Sequence, residues 1–313
     1  MELKDALFEE LIKNGYSQLK DGRNVWDVAN RSLLYMTPGL VKSFLKLRRH
    51  PRYVKTIIEI ETELLKKHSQ SITKDLLNIN FNLIDMGCED GSKAMILIDS
   101  LKGKGNCSFC SVNVSKELAD MALKNIMNSK LKNVLECRSV IADFRSLDQV
   151  VTMVKNKKFS KNVILLLGSI LASFELHDYL FNLSQAMYKG DFLVIGNGIR
   201  PGERFVNLEN YKSALFKEWF DHLIDGFGIN IKDVEYDARF ANGRLETFYR
   251  IKKDIVLTYK GKKVEFKAGD ELVVAILYKY YEKELEEFCK MYFREVELVK
   301  DEANEYALVI CKK

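Results

Sequence analysis

FNLIDMGCEDGSK, residues 81–93, is the stretch that decides the fold of this chain. Residues 81–86 form a largely apolar run, which is typical of a parallel strand covered on both faces. Gly87 and Gly91 follow this run, and glycine lets the backbone turn tightly and approach a ligand without a Cβ in the way. A helical pattern starts near residue 92, and the free N–H groups of its first turn would face back toward the glycines. The stretch therefore predicts a strand, a turn and a helix that bind a small molecule.

The glycine turn alone does not identify that molecule. A dinucleotide-binding turn would need three glycines in the pattern GxGxxG, and residues 87–91 read GCEDG. An ordinary turn between a strand and a helix would also fit two glycines. The choice between a binding turn and an ordinary one depends on the residues downstream.

Composition limits the class of protein. The chain has 313 residues, of which 47% are hydrophobic and 30% charged, so it can bury a large core and predicts a globular protein. Its 49 basic and 44 acidic residues give a formal charge of +5, too small an excess to indicate nucleic-acid binding. No apolar run approaches the ~20 residues that span a membrane.

The cysteines indicate neither disulfides nor a metal site. All six lie in or beside apolar segments, and the N-terminal sequence MELKDALFEELIK is charged and amphipathic, unlike a signal peptide. We therefore expect a reducing, cytoplasmic environment. Cys107 and Cys110 form a lone CxxC without a second pair of ligands, and we interpret them as strand residues. No metal is predicted.

The chain predicts two intertwined domains. Residues 1–70 resemble a series of helices, and residues 71–200 alternate apolar strands with amphipathic helices, the pattern of a doubly wound parallel sheet. Residues 201–278 contain short strands joined by turn signals such as Asn242-Gly243, which predicts an inserted antiparallel α+β domain. Residues 279–313 predict a helix and two strands that complete the sheet. We expect residues 1–70 and 201–278 to form an accessory lid domain.

Polar groups follow successive strands of the predicted sheet. Parallel strands place their carboxyl ends at one edge, where ligands of doubly wound folds bind. A nucleoside needs a polar group for its ribose, a carboxylate or amide for its adenine amine, and an apolar ring against its base. The residues at these strand ends that match these needs are Gly87, Asn113, Asp143, Phe144, Gly168 and Ser169. Because no phosphate-binding glycine cluster is present, they favour S-adenosylmethionine (SAM) over a dinucleotide.

At these positions the chain resembles the SAM-dependent histidine-specific methyltransferases of the ergothioneine pathway. MGCEDGSKA at 86–94 is similar to the family's LGSGTSEKT turn, VNVS at 112–115 to VDVS, and LLGSILASF at 166–174 to FLGSTIGNF. Residues 142–144 match a GDF element, and HPRY at 50–53 faintly matches PEYY. The resemblance implies a class I methyltransferase with a seven-stranded sheet.

The resemblance also implies roles for individual residues. Lys93 would lie near the methionine carboxylate of SAM. Together with the two turn glycines and Gly168, the expected cofactor set is Gly87, Gly91, Lys93, Asn113, Asp143, Phe144 and Gly168. Methyl transfer to an amine depends mainly on positioning in a site from which water is excluded, and tyrosines can supply both an apolar wall and an orienting hydroxyl. We expect Tyr53, Ser169 and Ser173 to act at the reacting centre, and Tyr53, Ser173, Tyr211, Tyr249 and Tyr278 to contact the substrate.

Departures from the family pattern concern the substrate. Asn113 stands where the family has an acidic residue for the ribose, and Ser173 stands where it has the asparagine that contacts the substrate. The family's Glu-x-Ser pair that recognises histidine falls on Ala275 and Leu277. A site built to hydrogen-bond one substrate rejects analogues that would leave its buried polar groups unpaired. The loss of such groups therefore implies a different substrate. We therefore predict an N-methyltransferase for a small amino acid or related amine other than histidine. A nucleic-acid methyltransferase and a non-catalytic cofactor-binding protein are the alternatives.

Overall fold

The computed structural model describes residues 2–202 and 208–313 of the protein. Within these ranges the chain divides into two compact units. The accessory unit comprises residues 2–50 and 208–278, and the sheet unit comprises residues 51–202 and 279–313. Residues 203–207, which fall in the predicted insertion, lie outside the described residues.

The secondary structure follows the predicted alternation over most of the chain. The helices are α1 Leu3–Asn14, α2 Pro38–Arg48, α3 Pro51–Tyr53, α4 Glu59–Thr73, α5 Ser92–Ser100, α6 Lys116–Asn128, α7 Leu147–Val154, α8 Leu176–Ala186, α9 Leu208–Tyr211, α10 Ala214–Phe227 and α11 Glu282–Tyr292. The strands are β1 Tyr16–Gln18, β2 Asn24–Asp27, β3 Asn80–Met86, β4 Asn106–Asn113, β5 Val134–Ile141, β6 Lys161–Leu166, β7 Phe192–Gly198, β8 Val234–Ala241, β9 Arg244–Ile251, β10 Ile255–Tyr259, β11 Lys262–Phe266, β12 Glu271–Tyr278, β13 Glu295–Lys300 and β14 Tyr306–Lys312.

The sheet unit is built on a seven-stranded sheet among the described residues, in the order β13-β14-β7-β6-β3-β4-β5. The strands from β3 to β7 are parallel to their neighbours, whereas β14 is antiparallel to β7 and β13 is antiparallel to β14. Residues 81–86 of β3 are buried, as expected for a central strand covered on both faces. The predicted doubly wound sheet is confirmed.

The boundary predicted at residue 70 moves to residue 50. A helical segment runs without interruption from α3 through a π-helical turn, Val54–Ile58, into α4. Leu64, Leu65 and Ile72 of α4 belong to the same apolar core as Phe81 of β3. The helical segment therefore belongs to the sheet unit, because its apolar face packs against the core of the sheet.

The accessory unit contains a sheet in the order β1-β2-β12-β9-β8 and a separate β10–β11 hairpin. The predicted turn Asn242-Gly243 joins β8 to β9, with positive φ angles of 53° and 73°, as a tight hairpin requires. The prediction of an all-helical N-terminus was wrong at β1 and β2. Strand β1 pairs with β2 in a short local hairpin, and β2 also pairs with β12, where Val25 lies opposite Glu271, so one of its two partners is distant in sequence.

Candidate cofactor site

The carboxyl ends of β3, β4, β5 and β6 lie at one edge of the sheet, which we call the binding rim. Gly87 directly follows β3, and Asn113 is the last residue of β4. Asp143 follows β5 by two residues, and Gly168 follows β6 by two. Because the four strands are parallel neighbours, the structure brings the predicted strand-end residues to the same rim.

The first glycine of the turn has no room for a side chain. Gly87 has a φ angle of +79°, and its N–H donates to the carbonyl oxygen of Val112, 2.8 Å away. A Cβ at this position would overlap Ile170 Cδ1 and lie 3.3 Å from Phe144 Cε1. Gly87 is therefore required by both its backbone angle and its packing.

The second glycine allows two helices to approach each other. Gly91 has a φ angle of +77°, and a Cβ there would lie 3.2 Å from the backbone oxygen of Ala122 in α6. The turn between the glycines is held by Asp90, whose Oδ1 accepts the Ser92 N–H at 3.1 Å. Asn125 Nδ2 donates to the Asp90 carbonyl oxygen at 3.0 Å. The turn is thus fixed from α5 and from α6.

Lys93 is the second residue of α5 and is 8% exposed. Its ammonium forms an ion pair with the Glu61 carboxylate and a longer one, 3.5 Å, with Glu89 of the glycine turn. A Cβ on Gly168 would lie 3.4 Å from both Lys93 Nζ and Glu89 Oε1. The predicted cofactor residues Lys93 and Gly168 are therefore neighbours at the rim.

Glu61 of α4 is a rim residue that the sequence did not reveal. Its carboxylate is 0% exposed, and Oε1 accepts the Gly168 N–H at 2.8 Å and the Tyr306 hydroxyl at 2.5 Å. A Cβ on Gly196 of β7 would overlap the same oxygen. Its spacing in the sequence could have predicted that Glu61 is buried. Glu61 precedes Leu64 and Leu65 by three and four residues, so it lies on the same face of the helix as these apolar residues.

Ser169 continues this hydrogen-bonded arrangement toward β7. Its φ angle of 55° is unusual for a residue other than glycine. Its Oγ accepts the Gly198 N–H at 3.1 Å, and its side chain also hydrogen-bonds the Tyr306 hydroxyl. The turn after β6 is therefore tied both to β7 and to the first residue of β14. Ser173, four residues later, ends a 3-10 turn and is half-buried.

The predicted nucleoside-binding residues have partners of their own. Asn113 is almost fully buried, and its Oδ1 accepts the Ser115 N–H at 3.0 Å. Asp143 is half-buried, and its Oδ1 accepts the Arg145 N–H at 2.9 Å. The Phe144 ring is buried against Gly87, so in this structure it forms an inner wall of the turn.

Asp85, also missed from the sequence, lies inside β3 directly behind the glycine turn. Burial is the main reason that its pKa is raised to about 7, and the charges of Glu89 and Glu61 act in the same direction. The charge of Lys93 acts in the opposite direction. A carboxyl group in this position is neutral over part of the pH range in which other aspartates are ionised.

Four tyrosines were predicted to contact the substrate, and they fall in different units. Tyr53, at the end of α3, is half-buried in the sheet unit. Tyr211 and Tyr278 lie in the accessory unit, where Tyr278 hydrogen-bonds Arg244 and burial raises the pKa of Tyr211 to about 12. Their assignment to the substrate stays a prediction.

Tyr249 requires a correction. It is 0% exposed, and its hydroxyl donates to Asp221 Oδ1 at 2.6 Å. Burial and the neighbouring carboxylate raise its pKa. A side chain enclosed in this way and hydrogen-bonded within the accessory unit is a core residue, so we remove it from the substrate set.

The binding rim fits the chemistry of SAM. Lys93 offers a cation for a carboxylate, Glu89 offers an anion near that cation, and Asn113 and Asp143 lie at the next two strand ends. The first pair suits the charged methionine end of the cofactor, and the second suits a nucleoside.

A family model described as histidine-specific methyltransferase, SAM-dependent, matches residues 27–313. The chain belongs to this family. The protein is therefore a SAM-dependent methyltransferase, and its seven-stranded sheet is that of the class I methyltransferases. Its cofactor is SAM.

Solved structures resemble this methyltransferase at low sequence identity. The sugar N-methyltransferase KedS8 from Streptoalloteichus sp ATCC 53650 is 13% identical, with 88% of this chain and 95% of that chain covered and a TM-score of 0.43. The magnesium protoporphyrin IX methyltransferase ChlM from Synechocystis PCC 6803, with bound S-adenosylhomocysteine (SAH), is 10% identical, with 89% and 96% covered and a TM-score of 0.47. No curated protein sequence matches the chain.

No group of three or more His, Cys, Asp or Glu side chains in residues 2–202 and 208–313 is arranged to hold a metal ion. Within the same ranges no helix has the length and apolar character needed to span a membrane.

Proposed function

We propose that this methyltransferase transfers the methyl group of SAM to the amino nitrogen of a small amino acid or related amine other than histidine. The observation that carries the proposal is the location of Lys279, whose ammonium lies near the Ser169 hydroxyl at the binding rim. Both residues belong to the sheet unit.

The backbone around Lys279 is attached to the end of β7. A parallel bridge pairs Ile199 with Tyr280, and the Arg200 N–H donates to the Tyr280 carbonyl oxygen at 3.0 Å. The Tyr280 hydroxyl donates to the Phe174 carbonyl oxygen at 2.9 Å. These bonds fix the residue next to Lys279 at the rim.

The Lys279 ammonium lies against β7. A Cβ on Gly198 would be 2.8 Å from Lys279 Nζ and 3.8 Å from Ser169 Oγ, so both groups border the same small space. Burial lowers the pKa of Lys279 to about 8, while the charge of Glu305 acts to raise it. A lysine with a pKa lowered in this way can exchange a proton with an amine substrate near neutral pH.

The proposed step requires a neutral amine nitrogen, which has a free lone pair. Bound SAM supplies a methyl group on a positively charged sulfur. Lys279 in its neutral form takes a proton from the substrate ammonium, which frees the nitrogen lone pair. The freed nitrogen would bond to the methyl carbon of bound SAM as the sulfur–carbon bond breaks, the electron pair of that bond would stay on sulfur, and Lys279 would then release its proton to water. Ser169 and Ser173, with Tyr53, are proposed to orient the amine.

The substrate class follows from what the chain lacks relative to its family. Ala275 and Leu277 stand at the positions that resemble the family's histidine-recognising pair, and neither can donate or accept a side-chain hydrogen bond. Ser173 offers a hydroxyl where the family has an amide. These changes support an amine with an apolar substituent in place of the imidazole ring.

Mass spectrometry of a mixed reaction tests the proposal. The protein is incubated with SAM and a pool of amino acids, biogenic amines and short DNA and RNA oligonucleotides, with histidine included. We expect one amine to gain 14 mass units per methyl group and SAH to be released in equal amount. Methylated histidine would overturn the substrate class, a methylated oligonucleotide would overturn the small-molecule assignment, and SAM binding without any product would favour a non-catalytic role.

A further inference from the structure

The binding rim contains a charged cluster that the proposed chemistry does not by itself explain. Glu61 is fully buried, Lys93 is nearly so, and Glu89 of the glycine turn lies 3.5 Å from the Lys93 ammonium. Removing charged groups from water is costly, and a buried pair persists only when its remaining hydrogen bonds are satisfied. The positions of these groups therefore require specific support from their surroundings.

That support comes from three separate elements. The Gly168 N–H after β6 and the Tyr306 hydroxyl of β14 both donate to Glu61 Oε1, and Lys93 of α5 faces Oε2. Burial and the Glu61 charge raise the pKa of Tyr306, so its hydroxyl remains a donor. Gly196 leaves the space that the carboxylate fills. One oxygen is thus held by the sheet, which leaves the other directed at Lys93.

The effect on Lys93 is both electrostatic and geometric. A carboxylate attracts a neighbouring ammonium group, and burial strengthens this attraction because little water screens it. Lysine has three N–H donors on a flexible stem, so contacts from two sides restrict where they point. Glu61 and Glu89 provide those contacts from α4 and from the glycine turn.

We propose that Glu61 is a positioning residue for the cofactor, which holds the Lys93 ammonium directed toward the methionine end of SAM. The inference rests on the proposed role of Lys93 as the contact of the methionine carboxylate. It does not depend on which amine is methylated. Glu61 itself acts through Lys93 and through the Gly168 amide.

Two ligands test this role, because they differ in whether they contain the amino-acid end of the cofactor. SAH contains the amino-acid part of the cofactor, whereas 5′-methylthioadenosine lacks it. Glu61→Gln keeps an oxygen for Gly168 and Tyr306 but turns an NH₂ group toward Lys93, so donor faces donor. We expect the dissociation constant for SAH to rise roughly tenfold or more, and that for 5′-methylthioadenosine to stay within about twofold, as measured by isothermal titration calorimetry.

Three further variants complete the design. Glu63→Gln, on the exposed side of the same helix, is the matched control and should bind both ligands as the unmodified protein does. Lys93→Met should also weaken SAH selectively. The double variant should lose little more affinity for SAH than Lys93→Met alone, because Glu61 acts through the lysine.

The outcomes separate the two assignments. If Lys93→Met changes the SAH preference and Glu61→Gln does not, the role of Glu61 is overturned while that of Lys93 stands. If neither variant changes it, both are overturned. Equal loss of both ligands in Glu61→Gln would indicate a purely structural role, and tighter SAH binding would indicate that Glu61 competes with the cofactor carboxylate; either contradicts the proposal.

Discussion

The Tyr306 hydroxyl donates a 2.5 Å hydrogen bond to Glu61, a residue 245 positions earlier in the chain. Glu61 belongs to the helix that precedes the sheet, and Tyr306 is the first residue of its last strand, opposite Gly198 of β7. The bond therefore joins the beginning and the end of the sheet unit at the binding rim. Within this unit, the predicted cofactor residues after β3 and β6 are supported by segments far from them in sequence.

Gly87 gives a test of the glycine turn. Gly87→Ala should destabilise the protein and weaken SAH binding, because alanine disfavours a φ angle of +79° and its Cβ would overlap Ile170 Cδ1. Adding Ile170→Val, which removes that carbon, should recover part of the loss in the free energy of unfolding measured with urea. Gly103→Ala is the control, since Gly103 has a φ angle of +75° in open space. Equal losses at both glycines would contradict the packing argument.

Asp85 predicts a pH dependence of stability. Its pKa is raised to about 7 in the folded protein, so its stabilising contribution is fully present below the unfolded value near 3.8 and is lost as the pH rises through 7. Asp85→Asn should therefore become increasingly more stable than the unmodified protein between pH 4 and 7, by at most about 4 kcal/mol, and the difference should then level off. Urea unfolding at several pH values measures this, with exposed Asp148→Asn as the control. A constant difference would refute the assignment.

Lys279 predicts a pH dependence of the reaction. Its pKa is lowered to about 8, and a base acts in its deprotonated form, so the rate should rise with pH and level off above that value. Lys279→Met should lower kcat by a factor of about 10² or more and abolish this rise. Initial rates of SAH release with the amine identified in the pooled reaction provide the measurement. An identical profile in Lys279→Met would exclude the proposed base.

Tyr249 distinguishes a core tyrosine from a substrate contact. Tyr249→Phe removes the hydroxyl that donates to Asp221, which should lower the free energy of unfolding by about 1–3 kcal/mol. The KM for the amine substrate should not change. Tyr188→Phe, at an exposed position, should leave both quantities unaltered. A raised KM with unchanged stability would return Tyr249 to the substrate set.

The sequence predicted the sheet and the strand ends because their signals are local. The apolar run before Gly87 and the regular alternation of strands and helices each lie within a few dozen residues. Glu61 escaped prediction because EIETELLKK resembles a solvated helix, and its partners come from β6, β14 and α5. Strands β1 and β2 escaped because they have only three and four residues, and β12, which pairs with β2, comes from the other end of the accessory unit.

The most direct test of the account is the structure of this methyltransferase with SAH bound. We predict that the SAH carboxylate lies within hydrogen-bonding distance of Lys93 Nζ, that the ribose lies beside Asn113 and that the adenine amine lies near Asp143. SAH bound away from the carboxyl ends of β3 to β6, or bound there with its carboxylate remote from Lys93, would contradict the account.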